Sequence, residues 1–358
     1  MPFREGFPVP TKRFSADEPE LDTLYAELAE NDLQPLWMLR GLLTAEPVVA
    51  TRPHVWPAAT LTRLARRSGT LVGIDRGGDR RVLACANPGL GGAPYASSTM
   101  WAAVQYLGPG ELAPAHRHTP AALRFVLSGS GVFTLVDGDP LYMSRGDLVL
   151  TPSMTFHEHH NPGDEPMTWM DVLDLPVVAG LDAVFFEEGP SETVEARTDP
   201  RSRSEVLYGG GPGLVARRPG EAVAERRYSR LLAYRWADTD RALEALLDGE
   251  RISSGTVRYV DPVSGKDVMP TLRCEMTRVR PGARTAPGRQ TGSRVGTVLN
   301  GDGVVHIGDE TFEVGPGDIF VVPSWAEFCL TAGAQLDAFT TSDAPVLDAL
   351  GLYRERAA

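Results

Sequence analysis

The chain has 358 residues, 42% of them hydrophobic, and a formal net charge of −12 at pH 7. That length points to two domains and a sizeable core. The acidic balance argues against a nucleic-acid partner, which needs a basic face, but leaves room for a small anionic ligand in a basic pocket.

In chain order, the N-terminal stretch MPFREGFPVPTKRF has no apolar core of signal-peptide type. Residues 1–100 then read as a helical and irregular arm. SADEPELDTLYAELAENDL starts with a capping Ser15 and repeats Leu21, Leu24 and Leu28 at helical spacing, and PAATLTRLARRSG reads as a second short helix. From Trp101 the texture changes to short alternating runs broken by Gly, Pro and Asp: AVQYLG, LRFVLSG, VFTLVDGD, DLVLTP. Strands at this spacing predict a small antiparallel barrel or sandwich over 101–180. Residues 181–270 form a mixed connecting segment, with GGGPG at 209–213 and a helix in DTDRALEALLDGE. The β texture returns over 271–345, and 346–358 is a tail. No apolar run approaches the roughly 18 residues of a membrane span. Cys85, Cys274 and Cys329 are too few and too scattered for a disulfide framework or a cysteine metal cluster, so a reducing cytoplasm is the expected setting.

The two β stretches share one framework. Gly110 aligns with Gly282, Gly129 with Gly301, Gly131 with Gly303, Gly146-Asp147 with Gly317-Asp318, and Pro152-Ser153 with Pro323-Ser324. Turn glycines and a strand-ending proline recurring at one spacing indicate a duplicated β unit.

The first copy carries PAHRHTPAALRFVLSG, with His116 and His118 one residue apart. Alternate side chains of a strand share a face, so these two point the same way, and Ala122 and Arg124 share their parity and would also face inward if the strand runs unbroken. His157 and His159 return together from a later strand, while His160 has the opposite parity. A lone His-x-His is more often a structural or surface pair. With His157 converging on it, a three-imidazole site suited to Fe, Zn, Cu or Ni outweighs that reading. His54 and His306 stand alone and read as surface or packing residues. The second copy has Gly288, Gln290, Arg294 and Phe328 at the ligand positions, which predicts a structural barrel without a catalytic metal.

Both motifs resemble the cupin family. Gly110, His116, His118 and Gly129 match its first motif, with Ala122 in the glutamate position; Gly146, Pro152, His157 and Asn161 match the second, with Met154 replacing the internal glycine. With alanine at 122 the protein would supply three neutral ligands. The metal's charge and open positions would then suit a chelating anion, such as an aromatic ortho-hydroxy acid whose carboxylate Arg124 can clamp.

A closer resemblance, over most of the chain, is to the bicupin gentisate 1,2-dioxygenase family, which includes salicylate and 1-hydroxy-2-naphthoate dioxygenases. It is carried by LQPLWMLRGLLTAEP and RRVLACANPGL in the arm, PAHRHTPAALRFVLSGSG and GDLVLTPSMTFHEHHNPGDEPMTWMDVLDLP in the first β unit, and RTAPGRQTGS and GDIFVVPSW in the second. The resemblance implies a mainly β bicupin, two antiparallel jelly-roll barrels behind an N-terminal helical arm, assembled as a homotetramer. It implies one Fe(II) per chain on His116, His118 and His157, with substrate contact or catalysis by Arg124 and His159. Trp101, Gln105 and Asp171 would line or brace the pocket, Asp171 orienting His159 or merely ending a strand. Arg80 or Arg81 would add positive charge. The implied reaction is O2-dependent ring cleavage of an aromatic hydroxy acid, gentisate giving maleylpyruvate, with salicylate or 1-hydroxy-2-naphthoate as alternative substrates. A non-oxygenase metal cupin and a non-catalytic aromatic-acid-binding module would use the same residues.

Overall fold

The computed structural model describes residues 19–39, 41–73, 81–189, 201–211 and 226–357. The chain divides into two compact units, Met1–Ala50 and Thr51–Ala358. In the first, a helix spans Pro19–Glu30, and Trp37 donates through Nε1 to the Tyr25 hydroxyl at 3.3 Å. The expected cap at Ser15 lies outside the described residues.

The second unit is mainly β. One five-stranded and one six-stranded antiparallel sheet form each barrel, counted among the described residues. In the first barrel, the six-stranded sheet runs Ala233–Tyr234, Leu148–Thr151, Ala122–Ser128, Met167–Leu173, Trp101–Leu107 and Val82–Ala84. The facing sheet runs Phe186–Glu188, Leu112–His118, His157–His160, Ser130–Val136 and Asp139–Ser144. The second barrel repeats this plan down to its irregularities. The pairing slips past Leu127 in the first barrel and past the equivalent Leu299 in the second.

An arm extending to residue 100 is not what forms. His54–Trp56 is the edge strand of the second barrel's six-stranded sheet, paired with Ile319–Val321, and Val82–Ala84 is the edge strand of the first. The helix expected in PAATLTRLARRSG spans Ala58–Leu71, and its first N–H donates to Asp318 Oδ1 at 2.6 Å. The contacts of His54–Trp56 and of this helix join residues more than two hundred positions apart, so no local pattern announces them. The helix expected in DTDRALEALLDGE spans Trp236–Glu250. Of GGGPG, only Gly209–Gly211 falls within the described residues. Among the described residues no helix is long and apolar enough to cross a membrane.

Strand alternation explains the core. On Ala122–Ser128, Leu123 and Phe125 point away from the barrel interior and pack in a layer shared with Cys274, Met276, Val295 and Phe339 of the second barrel. Phe125 and Phe339 stack with ring centroids 4.2 Å apart. Both faces of this strand are therefore buried, and the other face is free to carry the site. Each barrel also has its own apolar cluster, around Trp169 in the first and Phe320 in the second.

Two turns hold the repeat in place. Gly301 has φ 74°, and a Cβ there would stand 1.8 Å from the carbonyl oxygen of Gln335. Gly301→Ala is expected to lower stability by about 2–4 kcal/mol, the sum of left-handed strain and a main-chain clash. A denaturant midpoint within error of the parent would contradict this. The second turn is where Met154 replaces the cupin glycine. Met154 keeps the left-handed conformation, φ 60°, as does its counterpart Trp325, φ 66°. Its N–H donates to the His118 carbonyl at 2.9 Å, and Trp325 N–H donates to the Gln290 carbonyl at 2.7 Å. The turn thus pins the His118 strand despite its non-glycine residue.

Candidate active site

The strand Leu112–His118 lies beside His157–His160, with an irregularity between Ala113 and His116 that sets His116 directly opposite His157. The ring centroids of His116 and His157 are 4.3 Å apart, those of His118 and His157 4.9 Å, and those of His116 and His118 5.6 Å. Ligand atoms from the three lie within 4.8 Å of one another, the one such metal-competent group among the described residues.

Main-chain carbonyls set the tautomers. Nδ1 of His116 faces Pro114 O at 3.0 Å, that of His118 faces Pro120 O at 2.7 Å, and that of His157 faces Thr155 O at 3.0 Å. A carbonyl accepts only from Nδ1–H, which leaves the lone pair of each ring on Nε2. The His157 Nε2 is buried without a hydrogen-bond partner. A divalent cation fits this donor set: three neutral imidazoles, oriented from behind, one with a buried nitrogen that nothing else satisfies.

Electrostatics favour the neutral form of His118, His157 and His159. Burial pushes the His118 imidazole down to about 4, and burial with the Arg124 charge holds His157 and His159 well below the usual histidine range. A histidine depressed in the folded state binds its proton more readily when unfolded. Its contribution is therefore present above the ordinary value of 6.5 and is lost as pH falls toward about 4. Chelator-treated protein is expected to lose thermal stability across that window, and His118→Gln to flatten the dependence. Parallel curves for the two proteins would contradict this assignment.

The three histidines open onto a cavity of about 310 Å³. Trp101, Gln105, Ala122, Arg124, His159 and Asp171 line it too, so these expected residues do share one space. Arg124 is buried, its Nε 3.3 Å from Asp171 Oδ1 and its Nη1 donating to Thr151 Oγ1. Asp171 also accepts from Trp169 Nε1 at 3.0 Å. Burial raises the Asp171 carboxyl to about 6, with Arg124 acting in the opposite direction.

Two expectations change. Asp171 braces Arg124 and not His159, because Arg124 lies directly opposite it in the neighbouring strand. His159 is instead held by Thr134, whose Oγ1 is 2.9 Å from its Nδ1 and donates to Met143 Sδ at 3.5 Å. Thr134 sits opposite His159 in strand register, a relation visible only once that pairing is known. Finally, Arg81 is absent from the cavity wall. It faces the other side of its strand, where it binds Glu111 and the carbonyl of Gly69, while its neighbour Val82 lines the cavity. Arg80 lies outside the described residues. Phe186, which sequence reasoning passed over, stacks on His116 at 5.5 Å from a short edge strand of the connecting segment. His160 points away from the group and stacks on Phe133 at 4.7 Å.

Two stacked barrels with a three-histidine cradle inside the first define a bicupin with a metal site. A family model described as a cupin domain matches residues 103–173 and 275–336, one match per barrel. Gentisate 1,2-dioxygenase from Streptomyces sp. is 50% identical over 343 residues, 93% of this chain and 94% of that protein. The crystal structure of salicylate 1,2-dioxygenase from Pseudaminobacter salicylatoxidans is similar with a TM-score of 0.90 at 47% identity, covering 96% of this chain and 99% of the other. The same enzyme as an adduct with gentisate gives a TM-score of 0.91 at 45% identity, over 99% and 98% of the two chains. The chain belongs to the gentisate 1,2-dioxygenase family of ring-cleaving dioxygenases.

Proposed function

We propose that this protein is an Fe(II)-dependent gentisate 1,2-dioxygenase, converting gentisate and O2 to maleylpyruvate with both oxygen atoms retained in the product. The carrying observation is that Arg124 and the three imidazoles open onto one cavity of about 310 Å³. That volume is at the lower end of small-molecule sites, which run from about 300 to 1,000 Å³, and favours a single ring over a fused pair. Bound by His116, His118 and His157, Fe(II) would supply Lewis acidity and one-electron chemistry toward dioxygen.

The remaining work falls to the chain. Arg124 binds the substrate carboxylate through its planar fork, and Asp171 positions that fork. His159, neutral at physiological pH, offers Nε2 to a ring hydroxyl and takes up its proton. Trp101 and Gln105 hold the ring against the opposite wall. Ala122 leaves the space beside the histidines to the substrate's own oxygen atoms. Preorganised charge and orientation are the protein's contribution.

Oxygen uptake by anaerobically Fe(II)-loaded protein tests the reading against gentisate, salicylate and 1-hydroxy-2-naphthoate. Uptake fastest with gentisate, one O2 per ring opened, is the expected result. Faster uptake with another acid would reassign the substrate. No uptake by any, at full iron occupancy, would leave a metal cupin of different chemistry or a binding module.

A further inference from the structure

The second barrel has no imidazole at the ligand positions, yet it keeps a cavity. A space of about 410 Å³ opens in it, between walls equivalent to those of the first site. Strand register fixes the equivalence. Asp171 lies opposite Ala103 and Arg124 in the first barrel, and Thr340 lies opposite Glu275 and Gly296 in the second. By the same frame, Gly288 occupies the place of His116, Phe328 that of His157, and Arg294 that of Ala122. A short edge strand also borders each cavity's first wall: Phe186–Glu188 beside His116, and Glu355–Ala357 beside Gly288. Protein interiors are close-packed, so an unused barrel core would be expected to fill with side chains. This one has stayed open.

Its chemistry has been replaced rather than erased. Where the first barrel gathers three imidazoles, the second presents the guanidinium of Arg294, half-buried in the wall. The hydrogen bond of Arg294 goes to the neutral Oε1 of Gln290, and its guanidinium lies 5.3 Å from the Phe328 ring. Among the described residues it forms no ion pair. Burial holds its guanidinium below the ordinary arginine value, while Glu275 and Glu355, both in the cavity wall, act on it at longer range in the opposite direction. Beside it, Gln290 Nε2 is buried with no hydrogen-bond partner. A largely desolvated cation that lines the cavity without an ion pair calls for an anionic acceptor. Further along the same sheet, the cavity wall carries Thr340 on the adjacent strand and Thr277 and the Glu275 carboxylate on the next, groups that match hydroxyl donors and acceptors on a ligand.

We propose that the second barrel is a metal-independent binding site for a small hydroxylated carboxylate, with Arg294 anchoring the carboxylate and Glu275 and Thr340 receiving the hydroxyl end. The cation that attracts the anion is thus a metal in one barrel and a guanidinium in the other. The proposal is independent of the iron chemistry and of the substrate of the first barrel.

Gentisate serves as probe, with hydroquinone as the analogue that lacks a carboxylate. Equilibrium dialysis uses full-length, chelator-treated Arg124→Gln protein, so that the first barrel offers neither metal nor arginine. The expected result is one equivalent of gentisate bound per chain, at least tenfold weaker binding of hydroquinone, and at least tenfold loss of gentisate affinity when Arg294→Gln is added. Gly288→Met provides a second variant that leaves Arg294 in place. A Cβ at Gly288 meets nothing closer than the Arg356 carbonyl oxygen at 3.5 Å, so a methionine there can extend into the cavity. It too should reduce gentisate binding at least tenfold, while in the otherwise unaltered, Fe(II)-loaded protein oxygen uptake persists and reports an intact fold. No gentisate binding by the Arg124→Gln protein, equal binding of hydroquinone, or binding unaffected by Gly288→Met would each overturn the proposal.

Discussion

His157→Ala is expected to give a folded protein that retains no stoichiometric metal and takes up oxygen at less than about a thousandth of the parent rate, a loss of about 4 kcal/mol in transition-state stabilisation. The reason is ligand count. His116 and His118 come from one strand, and without His157 two neutral imidazoles remain, too few to fix a divalent ion. The fold survives because the deleted ring carries a buried nitrogen with no protein partner. Such an orphan costs about 1–3 kcal/mol, and its removal offsets part of the cavity left behind. His160→Ala is the matched control. It deletes an imidazole three residues along the same strand, on the opposite face, where it stacks on Phe133 and lies 2.9 Å from Glu158 Oε1. Metal analysis and an oxygen electrode separate the two variants. Full metal content and turnover in His157→Ala would remove the proposed centre.

Much of this site was legible in the sequence, because two-residue strand periodicity is a local property. Parity put His116 with His118, and repeated turn glycines disclosed the second barrel. Ala122 and Arg124 do face the cavity, but from a separate strand of the opposite sheet, because the strand ends at His118 and does not run unbroken into them. What escaped was set by pairing between distant segments. His54–Trp56 is three residues long, too short for alternation to register, and its partner strand begins at Ile319. Arg81 and Val82 differ by one residue, hence by one face, and only their pairing with Tyr106 and Gln105 decides which side meets the cavity. Asp171 could reach either His159 or Arg124 as far as composition is concerned. Register across the Ala122–Ser128 strand chose Arg124 and left His159 to Thr134. Met154 looked like a broken motif, yet a positive φ on a methionine, secured by one hydrogen bond to the His118 carbonyl, preserves the turn.

Arg124→Met is the second large effect, and its signature differs from that of a ligand mutation. Methionine keeps the apolar stem and deletes the charge, so metal content should match the parent while kcat/KM for gentisate falls about 30- to 1,000-fold, or about 2–4 kcal/mol, most of it in KM. Removing one member of a buried ion pair usually destabilises a protein by about 3–5 kcal/mol, because the other charge is stranded. Here the cost is smaller. Burial already holds the Asp171 carboxyl at about 6, and without the opposing influence of Arg124 it rises further. At neutral pH Asp171 then takes up a proton, and Trp169 Nε1 still donates to it. Asp171→Asn tests the same pair from the other side. The amide keeps an acceptor for Trp169 but withdraws the countercharge that aims the guanidinium, so kcat should fall more than KM rises, the mark of a positioning residue. An unchanged KM in Arg124→Met, at full metal occupancy, would show that the carboxylate is held by the metal alone. It would also leave the Arg124–Asp171 pair as a structural tie between neighbouring strands.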